Sequence, residues 1–287
     1  MKQAYIDIGE LGYSFFLSAH LRWLMNQGKP VSLVMTYPGR ECLYGDWVEK
    51  VINMPPEFYR DFDTGKQQEF KIGNGTSDKL DGFFRRYFNL RLPKGYQVSK
   101  DMSFDAGRIP DIYVNERIFA PYPYKKKFGG RREILVFTRY RNYELFNRRD
   151  IPKEFWLRVI ETLCDAFPNY TIRAMGTKKG AYDITEIQKD NYINDVGKTS
   201  NFQDVIDRFQ LADGVIGGDT GPLKFTLLQR IPTFMIGWQW DWMKEQNWLG
   251  ARFHFYKITL EEHRKFDDEK AIVEAVSFFK ERPENNF

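Results

Sequence analysis

The stretch Leu211 to Gly237, LADGVIGGDTGPLKFTLLQRIPTFMIG, constrains the fold of this chain more than any other. It reads as a short apolar strand over Gly214 to Ile216, a tight polar loop GGDTGP, a helix beginning near Gly221 or Pro222, and a second apolar strand over Pro232 to Ile236. Pro222 fits the first helical turn, where an N–H has no intrahelical partner to lose. Asp219 and Thr220 precede it in N-cap territory. Strand, helix and strand in this order make a parallel βαβ unit. A loop at the carboxyl end of a strand, opening into a helix amino terminus, is where open α/β folds collect anionic ligands, because free amides and the helix dipole point there. The same residues also suit a helix start that is merely well capped. Taken alone, the loop does not choose.

The alternation continues through the second half of the chain. Glu133 to Thr138 (EILVFT) is a strand, followed by a long polar loop from Arg139 to Asp150. Pro152 to Phe167 is an amphipathic helix with Phe155, Trp156, Val159, Ile160, Leu163 and Phe167 on one side. Asp150 or Ile151 ahead of the proline gives its start signal. Tyr170 to Met175 is the next strand and ends in Gly176-Thr177-Lys178-Lys179-Gly180. Phe202 to Leu211 is a helix, and Ala271 to Phe279 a final apolar helix placed to return across both halves. Such alternation implies a parallel sheet with right-handed crossovers. Three loops, Arg139 to Asp150, Gly176 to Gly180 and Gly217 to Pro222, then share one sheet edge. That edge carries Arg139, Arg141, Arg148, Arg149, Lys178, Lys179 and Lys224. Cations beside a helix amino terminus suit a diphosphate without a metal ion.

The first half opens in the same manner. Tyr5 to Ile8 is a strand, Gly9-Glu10-Leu11-Gly12 a loop, and Gly12 to about Asn26 a mostly buried helix closed by Gly28. Val31 to Met35 is a second strand, ended by Tyr37-Pro38-Gly39. The GxxG spacing is not the dinucleotide fingerprint, so no nicotinamide cofactor is expected. Glu10, at the carboxyl end of the first strand, suits a general base. It equally suits a carboxylate stabilised by up to ~1 kcal/mol at a helix start. Asp7 is a second carboxylate, inside the strand.

Between Tyr37 and Lys125 the pattern weakens, with a turn at Gly73-Asn74-Gly75 and a short aromatic helix over Asp81 to Leu90. Asp61-Phe62-Asp63 matches a metal-holding D-x-D, but it follows PPEFYR rather than an apolar strand, so no metal site is assigned. Tyr122 to Arg132 (YPYKKKFGGRR) combines prolines, glycines and cations as a linker does. It divides an amino-terminal domain, 1–124, from a carboxy-terminal domain, 133–287, with 125–132 between them. Its charges suit a solvated segment, with contact to an anionic substrate or to membrane headgroups as the alternative.

A length of 287 residues fits two domains of the usual ~150. A net charge of +4 does not describe a dedicated nucleic-acid binder. Cys42 and Cys164 offer neither a disulfide framework nor zinc spacing. The amino terminus lacks the apolar segment of a secretory signal, and no run of about 18 apolar residues appears. A cytoplasmic location follows, with peripheral membrane contact through the basic run as an option. Trp238, Trp240, Trp242 and Trp248 suit stacking on a sugar or base, and equally a core or an oligomer contact.

These pieces resemble glycosyltransferase family 9, the ADP-heptose:lipopolysaccharide heptosyltransferases. The resemblance is carried by Thr199-Ser200, the apolar helix Phe202 to Leu211, Asp219-Thr220-Gly221-Pro222 and Pro232-Thr233. The strand, basic loop and proline-started helix from Ile134 to Phe167 add to it, as does Met175-Gly176-Thr177. It spans roughly Glu133 to Gly237. Lys224 stands where that family usually has His, the segment TKKGAYD lacks the family's acidic ribose-binding residue, and Gly9-Glu10 replaces its Gly-Asp pair.

The resemblance implies an α/β GT-B fold, two Rossmann-like doubly wound domains facing each other across a cleft. It also implies a metal-independent, inverting sugar transfer of hexosyl or heptosyl type, with no cofactor. Asp219, Thr220, Gly221, Pro222 and Lys224 would hold the donor diphosphate. Arg139, Arg148 and Arg149 would neutralise the leaving phosphate, Thr138 would belong to the donor-binding residues beside them, and Gly176, Thr177 and Lys178 would border the nucleoside. Glu10 or Asp7 would be the catalytic base. The expected partners are a nucleotide-sugar donor and a glycan or glycolipid acceptor, with no nucleic acid. A nucleotide-sugar epimerase of the same fold and a non-catalytic nucleotide-sugar binder are the alternatives. His20, His254 and His263 lie outside the site loops, which disfavours the epimerase.

Overall fold

The computed structural model describes residues 1–7, 11–56, 78–100, 102, 132–140, 150–198, 201–237, 251–259, 261–262 and 265–281. The chain forms two compact units, Met1–Tyr122 and Pro123–Phe287.

In the first unit β1 (Lys2–Ile6) leads to α1 (Leu11–Asn26), then to β2 (Leu33–Thr36) and two 3-10 turns, Glu41–Leu43 and Gly45–Trp47. β3 (Lys50–Asn53), α2 (Asp78–Asn89) and β4 (Tyr96–Val98) complete it. All strand pairs are parallel, in the order β3-β2-β1-β4. A parallel strand covered on both faces must be apolar along its length. Tyr5 and Ile6 of β1 are buried, as are Leu33, Val34 and Met35 of β2. One face packs Ala4, Ile6, Leu33 and Met35 against Phe84 and Phe88 of α2. α1 stops where Gly28 takes φ 75°, a left-handed conformation that glycine adopts without steric cost.

In the second unit the order is β5 (Arg132–Phe137), α3 (Lys153–Ala166), β6 (Tyr170–Ala174), β7 (Tyr192–Asn194), α4 (Phe202–Phe209) and β8 (Ala212–Gly218). α5 (Gly221–Leu228), β9 (Thr233–Gly237), β10 (Phe253–Lys257) and α6 (Glu269–Lys280) follow. The parallel sheet runs β10-β9-β8-β5-β6-β7. The chain therefore moves outward from β5 through β6 to β7, then crosses to the other side of β5 for β8, β9 and β10. That reversal is the switch point of a doubly wound sheet, and it falls between β5 and β8.

The apolar stripe of α3, with Phe155, Trp156, Val159, Ile160 and Leu163, shares one core with Ala271, Ile272, Ala275 and Phe278 of α6 and with the sheet residues Ile134, Val136, Ile172, Ile216 and Phe234. The last helix thus packs within the second unit, where Phe278 and Phe234 approach with ring centroids 5.8 Å apart. Phe209 of α4 sits with its ring 5.8 Å from those of Phe137 and Phe225.

The expected strands and helices recur with shifted ends. Four strands that the sequence pattern does not reveal, β3, β4, β7 and β10, are each an edge of their sheet among the described residues. Among those residues no helix is long and apolar enough to cross a membrane.

Candidate functional site

At the switch point the carboxyl end of β5 delivers Thr138 and Arg139, and that of β8 delivers Asp219 and Thr220. Arg139 is buried beside Gly218, where an added Cβ would lie 3.4 Å from the arginine Cβ. Its Nη1 donates to Asp150 Oδ1 at 2.6 Å, with both side chains shielded from solvent. This pair joins the two ends of the segment 141–149, which lies outside the described residues. The sequence offers Asp150 or Ile151 as the helix start signal. α3 in fact begins after Pro152 without a side-chain cap, and the carboxylate neutralises Arg139.

The chain after β5 is stitched to the chain after β6. Tyr182 N donates to Thr138 O at 3.0 Å, Thr138 Oγ1 to Tyr182 O at 3.2 Å, and Tyr140 N to Gly180 O at 3.0 Å. The rings of Tyr140 and Tyr182 stack with centroids 4.5 Å apart. Burial, with Asp150 next, pushes the Tyr182 phenol up to about 12, so it is protonated at neutral pH. The turn requires Gly176. Its φ is 149°, and a Cβ there would lie 2.4 Å from that of Ala181. Gly197 N donates to Gly176 O at 2.8 Å, bringing the chain after β7 against the same loop. Thr177, Lys178 and Lys179 are exposed on it.

The DTGP loop has its own charge pair. Lys224 Nζ lies 3.5 Å from Asp219 Oδ1, and the Asp219 side chain is fully buried. Thr220 is the N-cap of α5 in extended conformation, yet its hydroxyl makes no capping bond. Thr220 Oγ1 is buried and has no hydrogen-bond partner among the described residues. Such a hydroxyl costs roughly 1–3 kcal/mol to leave unsatisfied. Pro222 lies in the first turn, and the amides that open α5 have no intrahelical acceptors.

In the first unit Asp7 follows β1 and is 1% exposed. Its Oδ1 accepts from Ser14 Oγ at 2.8 Å, and its Oδ2 accepts from Thr36 Oγ1 at 2.7 Å and Tyr44 Oη at 2.8 Å. Arg40 Nη1 lies 3.9 Å from Asp7 Oδ1 and donates to Ser14 Oγ at 2.6 Å. One carboxylate therefore ties the end of β1 to α1, β2 and the 3-10 segment. A buried group holding three hydroxyls is an anchor rather than a base open to substrate.

The second unit thus brings together Thr138, Arg139, Asp219, Thr220, Gly221, Pro222 and Lys224, with Gly176, Thr177 and Lys178 on the adjoining loop. Glu10, Asp61 to Asp63, Arg141, Arg148, Arg149, Thr199-Ser200, His263 and Trp238 to Trp248 lie outside the described residues. His20 stacks on Trp23, and His254 lies 3.0 Å from Glu274, neither on these loops. Among the described residues no group of three or more His, Cys, Asp or Glu side chains is placed to hold a metal ion. Residues that pattern reasoning missed are Asp150, Tyr140, Tyr182, Ser14, Thr36, Arg40 and Tyr44. Only Asp150 carried a signal, as an acid at the end of a basic loop.

No protein-family profile matches the sequence, and no curated protein matches it. Solved structures do. The chain is similar to the E. coli ADP-heptose LPS heptosyltransferase II, with a TM-score of 0.55 at 12% identity, covering 98% of this chain and 99% of that one. It is similar to a family 9 glycosyltransferase from Veillonella parvula, with a TM-score of 0.60 at 10% identity, covering 98% and 97%. It is also similar to the E. coli heptosyltransferase WaaC with ADP, with a TM-score of 0.53 at 11% identity, covering 96% and 97%. At these identities the likeness is one of fold: the chain has the α/β GT-B fold, built of two Rossmann-like units.

Proposed function

We propose that this protein is a glycosyltransferase of the family 9 type. It moves a sugar from a nucleoside-diphosphate donor to a hydroxyl of a glycan or glycolipid acceptor, with inversion and without a metal ion. The observation that carries this reading is the start of α5, where a Thr220 hydroxyl without a partner among the described residues and the Lys224 ammonium adjoin the switch point at a helix amino terminus. Those groups suit the oxygens of a diphosphate. That one of the similar structures holds ADP favours the same ligand class.

In this reading the donor diphosphate rests on Thr220 Oγ1 and the α5 amides, and Lys224 adds positive charge as the leaving group separates. Gly176 to Lys178 and the Tyr140–Tyr182 pair border the nucleoside. Glu10 takes the proton of the acceptor hydroxyl. The oxygen then bonds to the anomeric carbon from the face opposite the diphosphate, and the carbon–oxygen bond to that diphosphate breaks. Asp7 holds the carboxyl end of β1, three residues before Glu10 in the chain, so it positions the base. Arg139 is balanced by Asp150, and the pair ties the chain after β5 to the chain ahead of α3. The cations expected to meet the leaving phosphate are then Arg148 and Arg149.

The test is transfer from a panel of nucleotide sugars in the presence of glycan and glycolipid acceptors. Glu10→Gln is expected to lower transfer by about 10²–10⁴-fold, the usual contribution of a general base, with donor affinity nearly unchanged. Full transfer by that variant would remove Glu10 from the mechanism. Donor epimerised without any acceptor would replace the reading with an epimerase.

A further inference from the structure

The second unit holds a buried charged cluster that the transfer chemistry does not use. Arg173 lies in β6 and Glu133 in the neighbouring β5, 8% and 6% exposed. Arg173 Nη2 donates to Glu133 Oε1 at 2.8 Å, and its Nε donates to Oε2 at 3.4 Å. Its Nη1 donates to Oδ2 of Asp195, the residue that follows β7. Arg208 Nη1 of α4 donates to Glu133 Oε1 at 3.2 Å, and Lys198 Nζ lies 3.6 Å from Asp195 Oδ1. Replacing buried ion pairs of this kind with apolar residues is often neutral or stabilising, so stability alone does not call for the cluster. What it supplies is direction, because a planar guanidinium fixes the angle between the two carboxylates it holds.

Asp195 opens a turn that is specified at each residue. Asp195 N donates to Ala174 O at 2.9 Å and Val196 N to Asn194 Oδ1 at 3.1 Å. Gly197 N donates to Gly176 O at 2.8 Å and Lys198 N to Asp195 O at 3.1 Å. Gly197 takes φ 74°, a left-handed conformation, and a Cβ there would lie 3.1 Å from that of Lys178. The turn therefore packs directly on Gly176 and Lys178, two residues of the loop that borders the nucleoside in the proposed function. The Arg173–Asp195 pair ties that turn to β6, and through Glu133 to β5 and α4.

We propose that Arg173 is a positioning residue for the nucleoside half of the donor. Through Asp195 it holds the turn Asp195 to Lys198 against Gly176, and the Gly176 to Lys178 loop thereby keeps the shape that the nucleoside meets. Arg173 acts without touching the ligand. The inference rests on the nucleotide reading of the site at α5. It assigns Arg173 to donor affinity rather than to bond breaking, because Thr220 and Lys224 take no part in the cluster.

The test is titration calorimetry with ADP, UDP, GDP and CDP on the full chain, on Asp195→Ala and on Arg208→Gln, with hydrogen exchange of the Gly197 amide read on the first two. Removing an acid near an anionic ligand would by charge alone tighten binding. The proposal expects the reverse. Asp195→Ala should weaken nucleotide binding about two- to thirtyfold, the range for a residue coupled to a site it does not touch, and should speed exchange at Gly197. In transfer assays the donor KM should rise by the same factor with kcat unchanged. Arg208→Gln removes the other cation on Glu133, so it should lower the melting temperature and leave nucleotide affinity unaltered. An equal loss of affinity in both variants would make the cluster a support of the fold alone and overturn the proposal. Affinity unchanged or tightened in Asp195→Ala would overturn it as well. If no nucleotide binds the unaltered chain, the nucleotide reading itself falls, and unaltered Gly197 exchange in Asp195→Ala would then overturn the positioning separately.

Discussion

Both units order their first strands alike, β3-β2-β1-β4 and β7-β6-β5-β8, yet the leading strand ends in opposite chemistry. After β1 comes a buried carboxylate, Asp7, collecting hydroxyls from Ser14, Thr36 and Tyr44. After β5 comes a buried guanidinium, Arg139, balanced by Asp150, and its neighbour β8 ends in the Asp219–Lys224 pair and the Thr220 hydroxyl. The shared strand order places the end of the leading strand at the same point in each sheet, and the side chains there differ. Under the proposed function the first unit presents a carboxylate base, and the second presents donors for a diphosphate.

The sharpest way to break that contrast is Glu10→Gln. It should cost about 10²–10⁴-fold in transfer and leave nucleotide affinity intact, because it acts on the first unit alone. Loss of nucleotide binding in that variant would mean the two chemistries are not divided as described. Arg139→Ala should act on folding instead. It leaves Asp150 buried without its cation, and breaking such a pair costs about 3–5 kcal/mol, read from denaturant unfolding of the full chain. An unchanged midpoint would mean that the pair is not buried in solution.

These two residues also show how far the sequence alone reaches. Arg139 stands out because it follows the apolar run Ile134 to Phe137, and Glu10 because it sits in the glycine loop after Tyr5 to Ile8; β1, β2, β5, β6, β8 and β9 are legible from their apolar residues, because an interior parallel strand is covered on both faces. β3 (KVIN), β4 (YQV), β7 (YIN) and β10 (FHFYK) are short and mix polar with apolar residues. An edge strand meets solvent on one side and needs no apolar run. The site divides in the same way. Asp219-Thr220-Gly221-Pro222 is contiguous, so its pattern can be recognised. The donors to Asp7 come from 7, 29 and 37 residues away, and no local pattern predicts them.

Smaller effects sharpen the account of each unit. Ser14→Ala removes a hydroxyl that Asp7 and Arg40 both use, and should destabilise the protein by about 1–3 kcal/mol. A lower kcat beyond the unfolded fraction would support Asp7 as the residue that positions Glu10. In the second unit Tyr182 gives a pH test. Its phenol is raised by burial to about 12 in the folded protein, while an unfolded tyrosine titrates near ~10. The unfolded state therefore loses this proton first. The stabilisation is intact below pH ~10 and falls as pH rises from there toward 12. Tyr182→Phe should flatten that part of the alkaline unfolding curve, and an identical slope would place the ring in water.

The central claim is that the start of α5 holds a nucleoside diphosphate, and titration calorimetry with ADP, UDP, GDP and CDP on the full chain and on Lys224→Ala tests it most directly. The account predicts that at least one nucleotide binds. Lys224→Ala should weaken it by about 1.5–3 kcal/mol, the value of a charge-assisted hydrogen bond, because the cation is lost and Asp219 is left facing the phosphates. Equal affinity for Lys224→Ala and the unaltered chain would contradict it.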